Sequence, residues 1–221
     1  MNKLLKISMV NLSYNTDNNL IKVLQDISLE VDHKDTVSIV GESGSGKTSL
    51  IMLIGGLEKA TSGKIQFKEF EISNLNEDQI SEIRRKNIGI VFQSFYLIPN
   101  YTALENVSLT LEINRISNPE QKAKDMLSRF GLGQRLNNLP SQLSGGEQQR
   151  VAIARSIVMK PQLILADEPT GNLDSENSNL ISKILFDYVN EEQASLIVAT
   201  HDDKLASQTK RKIKIKDGRI E

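Results

Sequence analysis

The eight residues GESGSGKT, Gly41 to Thr48, constrain this chain more than any other stretch. They fit G-x-x-x-x-G-K-[ST] at every position, and the pattern has a physical basis. Gly41, Gly44 and Gly46 let the backbone curl so that successive N–H groups point inward at a polyphosphate. Lys47 adds a point charge at the outer phosphates, and the Thr48 hydroxyl suits a magnesium ion. A helix starting at Lys47 turns its positive end toward the same anion. The flanks agree with this reading. TVSIV (Thr36 to Val40) has the pattern of a buried strand, and SLIMLIGGL (Ser49 to Leu57) that of a helix. Strand, glycine loop and helix predict nucleotide binding, without saying which nucleotide or what its hydrolysis drives.

Composition narrows the class. At 221 residues the chain is one large domain, or one domain with a subdomain inserted. A 38% hydrophobic share supplies a core, and the net charge of -1 exerts no general pull on nucleic acid or anionic lipid. The absence of cysteine excludes a disulfide scaffold, a thiolate metal site and a cysteine nucleophile, and suits a reducing compartment. MNKLLKISMVNLSY alternates like a strand and lacks the apolar run of a secretory signal. No apolar run approaches the ~18 residues of a spanning helix. A cytoplasmic chain is expected, with any membrane belonging to a partner.

Along the chain, Leu4 to Leu12 and Val23 to Val31 alternate as two strands around a turn cluster, Asn15 to Asn19. They predict a small antiparallel unit ahead of the P-loop. Tyr14 at its edge is either packing or a platform for a base. Gly63 to Phe67 reads as a strand, Glu77 to Lys86 as a charged helix and Ile88 to Phe92 as a buried strand. Gln93 then sits either in a solvated loop or at a strand end where ligands bind. Ser94 to Asn118 clusters apolar residues without a clean period, and Pro119 to Phe130 has a helical stripe of Met126, Leu127 and Phe130. Residues from about 95 to 140 therefore read as a helical insertion. Phe95, Tyr96 and Leu97 beside Pro99 are core packing or a docking surface.

In LSGGEQQR, Leu143 to Arg150, Ser144 is a good N-cap, and Gly145 and Gly146 leave N–H groups open at the start of a helix reaching Met159. That is an ordinary capped helix or a second phosphate cradle. LILAD, Leu163 to Asp167, is a buried strand ending in an acid and followed by Glu168. One of these carboxylates can hold magnesium and the other can take a proton from water. GNLDS leads into a helix with a buried stripe of Leu180, Ile181, Ile184, Leu185 and Tyr188. SLIVAT, Ser195 to Thr200, is another buried strand, with His201 at its end. IKIKDGRIE closes the sequence as a hairpin turning at Asp217-Gly218.

Taken in order, Tyr14, GESGSGKT, Gln93, LSGGEQQR, LILAD with Glu168, Asn172 to Asp174, and His201 resemble the nucleotide-binding subunit of ATP-binding cassette (ABC) transporters over essentially the whole chain. VFQSFYLIPNYTALENV and ADEPTGNLDS are similar to the LolD/MacB/FtsE-like subgroup. FQSFYLIP and GLGQRLNNLPSQLSGGEQQR are most similar to YbbA-type ATPases. The C-terminus resembles relatives without an appended regulatory domain.

The resemblance implies an α/β P-loop NTPase fold over residues 1–221. It would have a RecA-like core, an N-terminal antiparallel β subdomain and a helical subdomain at about 95–160. It implies ATP held by Tyr14 and by Gly41, Glu42, Ser43, Gly44, Ser45, Gly46, Lys47, Thr48, Ser49 and Gln93. Thr48, Gln93 and Asp167 would organise Mg2+, with Glu168 as general base, His201 on the outer phosphate and Lys47 on the phosphates. Two copies would close as a homodimer on ATP. Ser144, Gly145, Gly146 and Glu147 of each would then act on the other's nucleotide, with Asp174 at the seam. The implied setting is the inner face of a bacterial plasma membrane, peripheral to a permease of MacB/LolC-like type docked near Phe95 to Val107, with no nucleic acid. Two other classes compete with this one. A soluble ABC ATPase acting on nucleic acid or ribosomes would be expected to carry coiled coils, tandem cassettes or basic extensions. A P-loop kinase would leave LSGGEQQR unexplained.

Overall fold

The structure is a computed structural model that describes residues 3–15 and 19–221. Thr16 to Asn18 of the expected turn cluster lie outside the described residues. By internal contacts the chain divides into two compact units. The first comprises residues 1–84, 165–167 and 195–221, and the second 85–164 and 168–194.

Strands β1 (Leu5–Asn15) and β2 (Leu20–Val31) pair antiparallel. Their alternation buries Leu5, Ile7, Val10 and Leu12 on one face of the sheet. The sheet also recruits β4 (Ser62–Phe67) and the two-residue β5 (Phe70–Glu71), in the order β2-β1-β4-β5. The antiparallel unit therefore straddles the P-loop in sequence instead of wholly preceding it. Gly63 explains how β4 fits. It takes a left-handed φ of 89°, and a Cβ there would lie 2.3 Å from the Met9 carbonyl oxygen, so β4 can pass β1 only with glycine at this point.

The second sheet runs β10-β9-β3-β8-β7-β6. Its members are β3 (Thr36–Val40), β6 (Ile88–Val91), β7 (Leu163–Asp167), β8 (Ser195–Thr200), β9 (Arg211–Lys216) and β10 (Arg219–Ile220). β3 is flanked in parallel by β8 and β9, and β10 returns antiparallel through the Asp217-Gly218 turn. Every residue of β7 and β8 is buried, as expected of strands covered on both faces. In the first unit, α1 (Lys47–Ile54) follows β3. The first unit also holds the short α7 (Asp203–Ser207) and residues 77–84 of α2 (Glu77–Asn87), whose last three residues belong to the second.

The second unit is mainly helical. It contains α3 (Ala103–Ile113), α4 (Pro119–Arg129), α5 (Gly145–Ile157) and α6 (Ser175–Glu192). α3 lies where the sequence shows no clean period. Its Asn106 and Ser108 face inward, which breaks the apolar stripe. Asn106 is fully buried because it is fully used. Its amide donates to the carbonyls of Ile98, Tyr101 and Thr102 at 3.0–3.2 Å, and its Oδ1 accepts from the Ile98 N–H at 2.8 Å. This one side chain holds the Pro99 loop onto the helix. On α6, Ile181, Leu185 and Tyr188 are buried as expected, but Leu180 is exposed at the edge of the stripe.

Candidate functional site

In the first unit, the P-loop curls as its glycines require. Gly44 and Gly46 have φ of 79° and 105°, in the left-handed region. Gly41 is needed for space, since a Cβ there would lie 2.2 Å from the Ile215 carbonyl oxygen. Gly46 caps α1 without a side-chain hydrogen bond, so the first N–H groups of that helix are left for a ligand. Among the described residues the buried Ser45 hydroxyl has no hydrogen-bond partner, an orphan donor within the cradle. Lys47 is buried and folds back to donate to the carbonyls of Gly41 at 2.8 Å and Glu42 at 3.0 Å. Glu42, Ser43 and Gly44 are exposed, and Ser49 is half-buried.

The Thr48 hydroxyl donates to Asp167 Oδ1 at 3.1 Å. Asp167 ends β7 and is buried. A hydroxyl and a carboxylate this close form an all-oxygen pair suited to a hard cation. His201 follows β8, whose Thr200 sits opposite Val40 of β3, so His201 and Gly41 leave adjacent parallel strands at the same end. Tyr14 is 42% exposed near the end of β1, a flat face open to a ring. Partial burial, then the nearby Glu58 carboxylate, push its phenol above the ordinary tyrosine range.

Lys214 and Lys216 were not anticipated. With Ile215 and Asp217 they line a cavity of about 190 Å³ whose other wall is Gly41 to Ser45. Lys214 is paired with Glu221, which raises its pKa. The K-I-K-I-K alternation was the available signal, since it puts Lys212, Lys214 and Lys216 on one side of β9.

The second unit carries Gln93, the signature segment and Glu168. Ser144 caps α5, its Oγ accepting from the Glu147 N–H at 3.3 Å while Glu147 Oε2 accepts from the Ser144 N–H at 2.8 Å. The Ser144 N–H, and then Arg135, hold the Glu147 carboxyl below the usual carboxylate range. Gly146 is buried against Asn177, whose Oδ1 would lie 2.2 Å from an added Cβ. Asn177 in turn donates its N–H to Asp174 Oδ1 and its amide to Asp174 Oδ2, both at 2.8 Å. Asp174 is thereby fixed as the N-cap of α6, and the Asn177 N–H leads in lowering its pKa.

Glu168 is half-buried with φ 45°, a conformation disfavoured for a residue with a Cβ. The turn it opens is closed by the Gly171 N–H on the Glu168 carbonyl at 3.1 Å. It is also tied to α5 by Gln149, whose Nε2 donates to the Pro169 carbonyl at 2.7 Å. Gln93 and Asn172 exchange hydrogen bonds, side chain to side chain at 3.0 Å and Asn172 Nδ2 to the Gln93 carbonyl at 3.3 Å. Gln149 and Asn177 were not singled out from sequence, and Asn172 entered only as part of Asn172 to Asp174 with no role of its own, because the partners of Gln149 and Asn172 lie 20 and 79 residues away.

Comparison with known proteins bears on what these sites serve. Residues 24–171 match the sequence profile of the family described as ABC transporter. The chain is 42% identical over 217 residues to the lipoprotein-releasing system ATP-binding protein LolD of Idiomarina loihiensis, covering 97% of this chain and 95% of that protein. It is 41% identical over 203 residues to the ABC transporter ATP-binding protein YbbA of Escherichia coli K12, covering 91% and 89%. Among solved structures, a dimeric bacterial ABC transporter cassette superposes with a TM-score of 0.93 at 39% identity, covering 98% of this chain and 96% of that one. A dimeric cassette in a post-hydrolysis state with ADP and Pi gives 0.92 at 38% identity, with the same coverage. The glycine cradle thus has both a geometry and a lineage, and the chain belongs to the ABC transporter family as an ATP-binding, ATP-hydrolysing subunit.

Proposed function

We propose that this chain is the ATPase of a LolD-like membrane complex and that Glu168 is its general base. The observation that carries the reading is the Thr48–Asp167 contact at 3.1 Å beside a loop whose Ser45 hydroxyl is unpartnered and whose helix N-terminus is uncapped. Triphosphate oxygens would take the Ser45 hydroxyl and the N–H groups of Gly44 to Ser49. Lys47 would exchange the Gly41 and Glu42 carbonyls for the outer phosphates, with His201 beside them and Tyr14 stacked on the adenine. Thr48, Asp167 and Gln93 supply oxygens only, as Mg2+ requires, and the ion would neutralise charge on the phosphates. Glu168 would accept a proton as water attacks the γ-phosphorus and the bond to the β-phosphate oxygen breaks, giving ADP and phosphate.

The remainder of the proposal concerns assembly. Residues 1–221 act as one nucleotide-binding domain with a helical subdomain at about 95–160. Two copies close on ATP, each presenting Ser144, Gly145, Gly146 and Glu147 to the other's nucleotide with Asp174 at the seam. The likeness to dimeric cassettes supports this. A MacB/LolC-type permease would dock near Phe95 to Val107, where Tyr96 and Tyr101 are exposed, leaving the ATPase peripheral on the cytoplasmic face. Among the described residues no helix is long and apolar enough to cross a membrane. No observation favours a nucleic-acid partner.

The test is Glu168→Gln. The variant is expected to bind ATP, to run as a dimer in size exclusion with ATP and magnesium, and to recover a membrane protein in detergent. Hydrolysis at the wild-type rate would remove Glu168 from the base role.

A further inference from the structure

We infer that Asn172 is a positioning residue for Gln93, fixing which end of the Gln93 amide is offered to a metal ion. The inference rests on the reading of Gln93 as a magnesium ligand. Gln93 follows β6 by two residues, and Asn172 lies in the turn between Glu168 and α6.

The argument comes from which atoms can donate. The Gln93 backbone carbonyl can only accept, so Asn172 must turn Nδ2 toward it, as the 3.3 Å contact has it. That leaves Asn172 Oδ1 at the other end of its amide, and a carbonyl oxygen also only accepts. Gln93 must therefore meet it with Nε2, at 3.0 Å. Both amide orientations are set by the bonding pattern. The Gln93 nitrogen is engaged, and its Oε1 is kept as the coordinating atom. Hard divalent cations bind oxygen and not amide nitrogen, so this orientation is the useful one. An untethered Gln93 would present either end and would lose rotamer freedom on binding.

Gly171 makes room for the pair. Its φ is not positive, so the requirement is spatial. A Cβ there would lie 2.9 Å from Gln93 Nε2 and 3.3 Å from its Cδ. Asn172 thus stands to Gln93 as an outer-shell partner stands to a metal ligand, a role whose loss lowers metal affinity by on the order of tenfold.

The experiment measures binding of a fluorescent ATP analogue carrying a methylanthraniloyl group, in a Glu168→Gln background so that hydrolysis does not intrude. Affinity is determined in EDTA and in excess Mg2+ for the parent, Gln93→Ala, Asn172→Ala and the double variant. The expected result is affinity in EDTA within about twofold of the parent throughout. The Mg2+-dependent gain should fall by on the order of tenfold in each single variant, with no further fall in the double. If Asn172→Ala keeps the full gain while Gln93→Ala loses it, the inference is overturned and the reading of Gln93 stands. If Gln93→Ala keeps the full gain, that reading fails and takes the inference with it. Equal losses in EDTA and Mg2+ would reduce Asn172 to a structural tie and also overturn it.

Discussion

Gln149→Met should separate stability from catalysis. Gln149 is fully buried, with Nε2 bonded to the Pro169 carbonyl at 2.7 Å and Oε1 buried without a partner among the described residues. An orphaned buried acceptor costs roughly 1–3 kcal/mol. Methionine has a similar length and adapts to its site, so it removes that orphan without a large cavity. It also strips the Pro169 carbonyl of its donor, which creates a new orphan of roughly 1–3 kcal/mol. The two effects cancel to within about 1 kcal/mol, a melting shift of about 2–4 °C or less for a chain of this size. Catalysis should not cancel. Pro169 follows Glu168, whose left-handed φ of 45° persists only while its surroundings hold it. Released from α5, the Glu168 carboxylate moves, and a displacement of about 1 Å lowers phosphate release by on the order of a hundredfold. Thermal melting and phosphate release would be followed together. A melting drop beyond about 10 °C would show that Oε1 is not an orphan. Unchanged hydrolysis would show that the Gln149–Pro169 bond does not hold the base.

Two further predictions concern α5 and its cap. Arg155 is half-buried, donates to the carbonyls of Phe95 at 2.9 Å and Tyr96 at 2.6 Å, and is pushed below its ordinary pKa by burial. Both carbonyl residues have left-handed φ, 57° and 48°. Arg155→Met should therefore speed amide hydrogen exchange over residues 94–101 and cost roughly 2–4 kcal/mol, and unaltered exchange there would count against the clamp. For Glu147 the folded pKa is depressed, so its stabilisation is present above the unfolded value and lost as pH falls through the folded one. The melting advantage of wild type over Glu147→Gln should be full near neutrality and shrink below about pH 4, and a gap independent of pH would refute the assignment.

What could be read from the sequence is what short range determines. GESGSGKT specifies its loop because Gly44 and Gly46 occupy φ values that side chains resist, and LILAD specifies a strand because its run of four apolar residues calls for burial on both faces. α3 was missed for an opposite reason. Periodicity assumes that buried means apolar, and Asn106 is buried by four hydrogen bonds to a loop that the sequence does not reveal. The Thr102-x-x-Glu105 capping box was the legible signal, and both of its reciprocal bonds form. β5 and α7, at two and five residues, are too short for any period to register.

The same failure of the apolar-means-buried rule explains why LSGGEQQRVAIAR is more than a capped amphipathic helix. Three polar residues of α5 are turned inward, two toward segments without regular structure and one toward the first turn of α6. Gln149 reaches the turn after Glu168, and Arg155 reaches the Phe95-Tyr96 carbonyls. Arg150, one helical turn after Gly146, comes within 3.5 Å of the Asn177 oxygen that packs on that glycine and is joined through Asn177 to Asp174. Burying polar groups is unfavourable unless they are bonded, so these contacts offset part of the cost of packing the helix. Thirteen residues of helix extend about 20 Å. Any shift of α5 therefore either breaks these bonds or carries two loops and the start of α6 with it. Substitutions at Gln149 and Arg155 should accordingly alter the loops before they alter the helix.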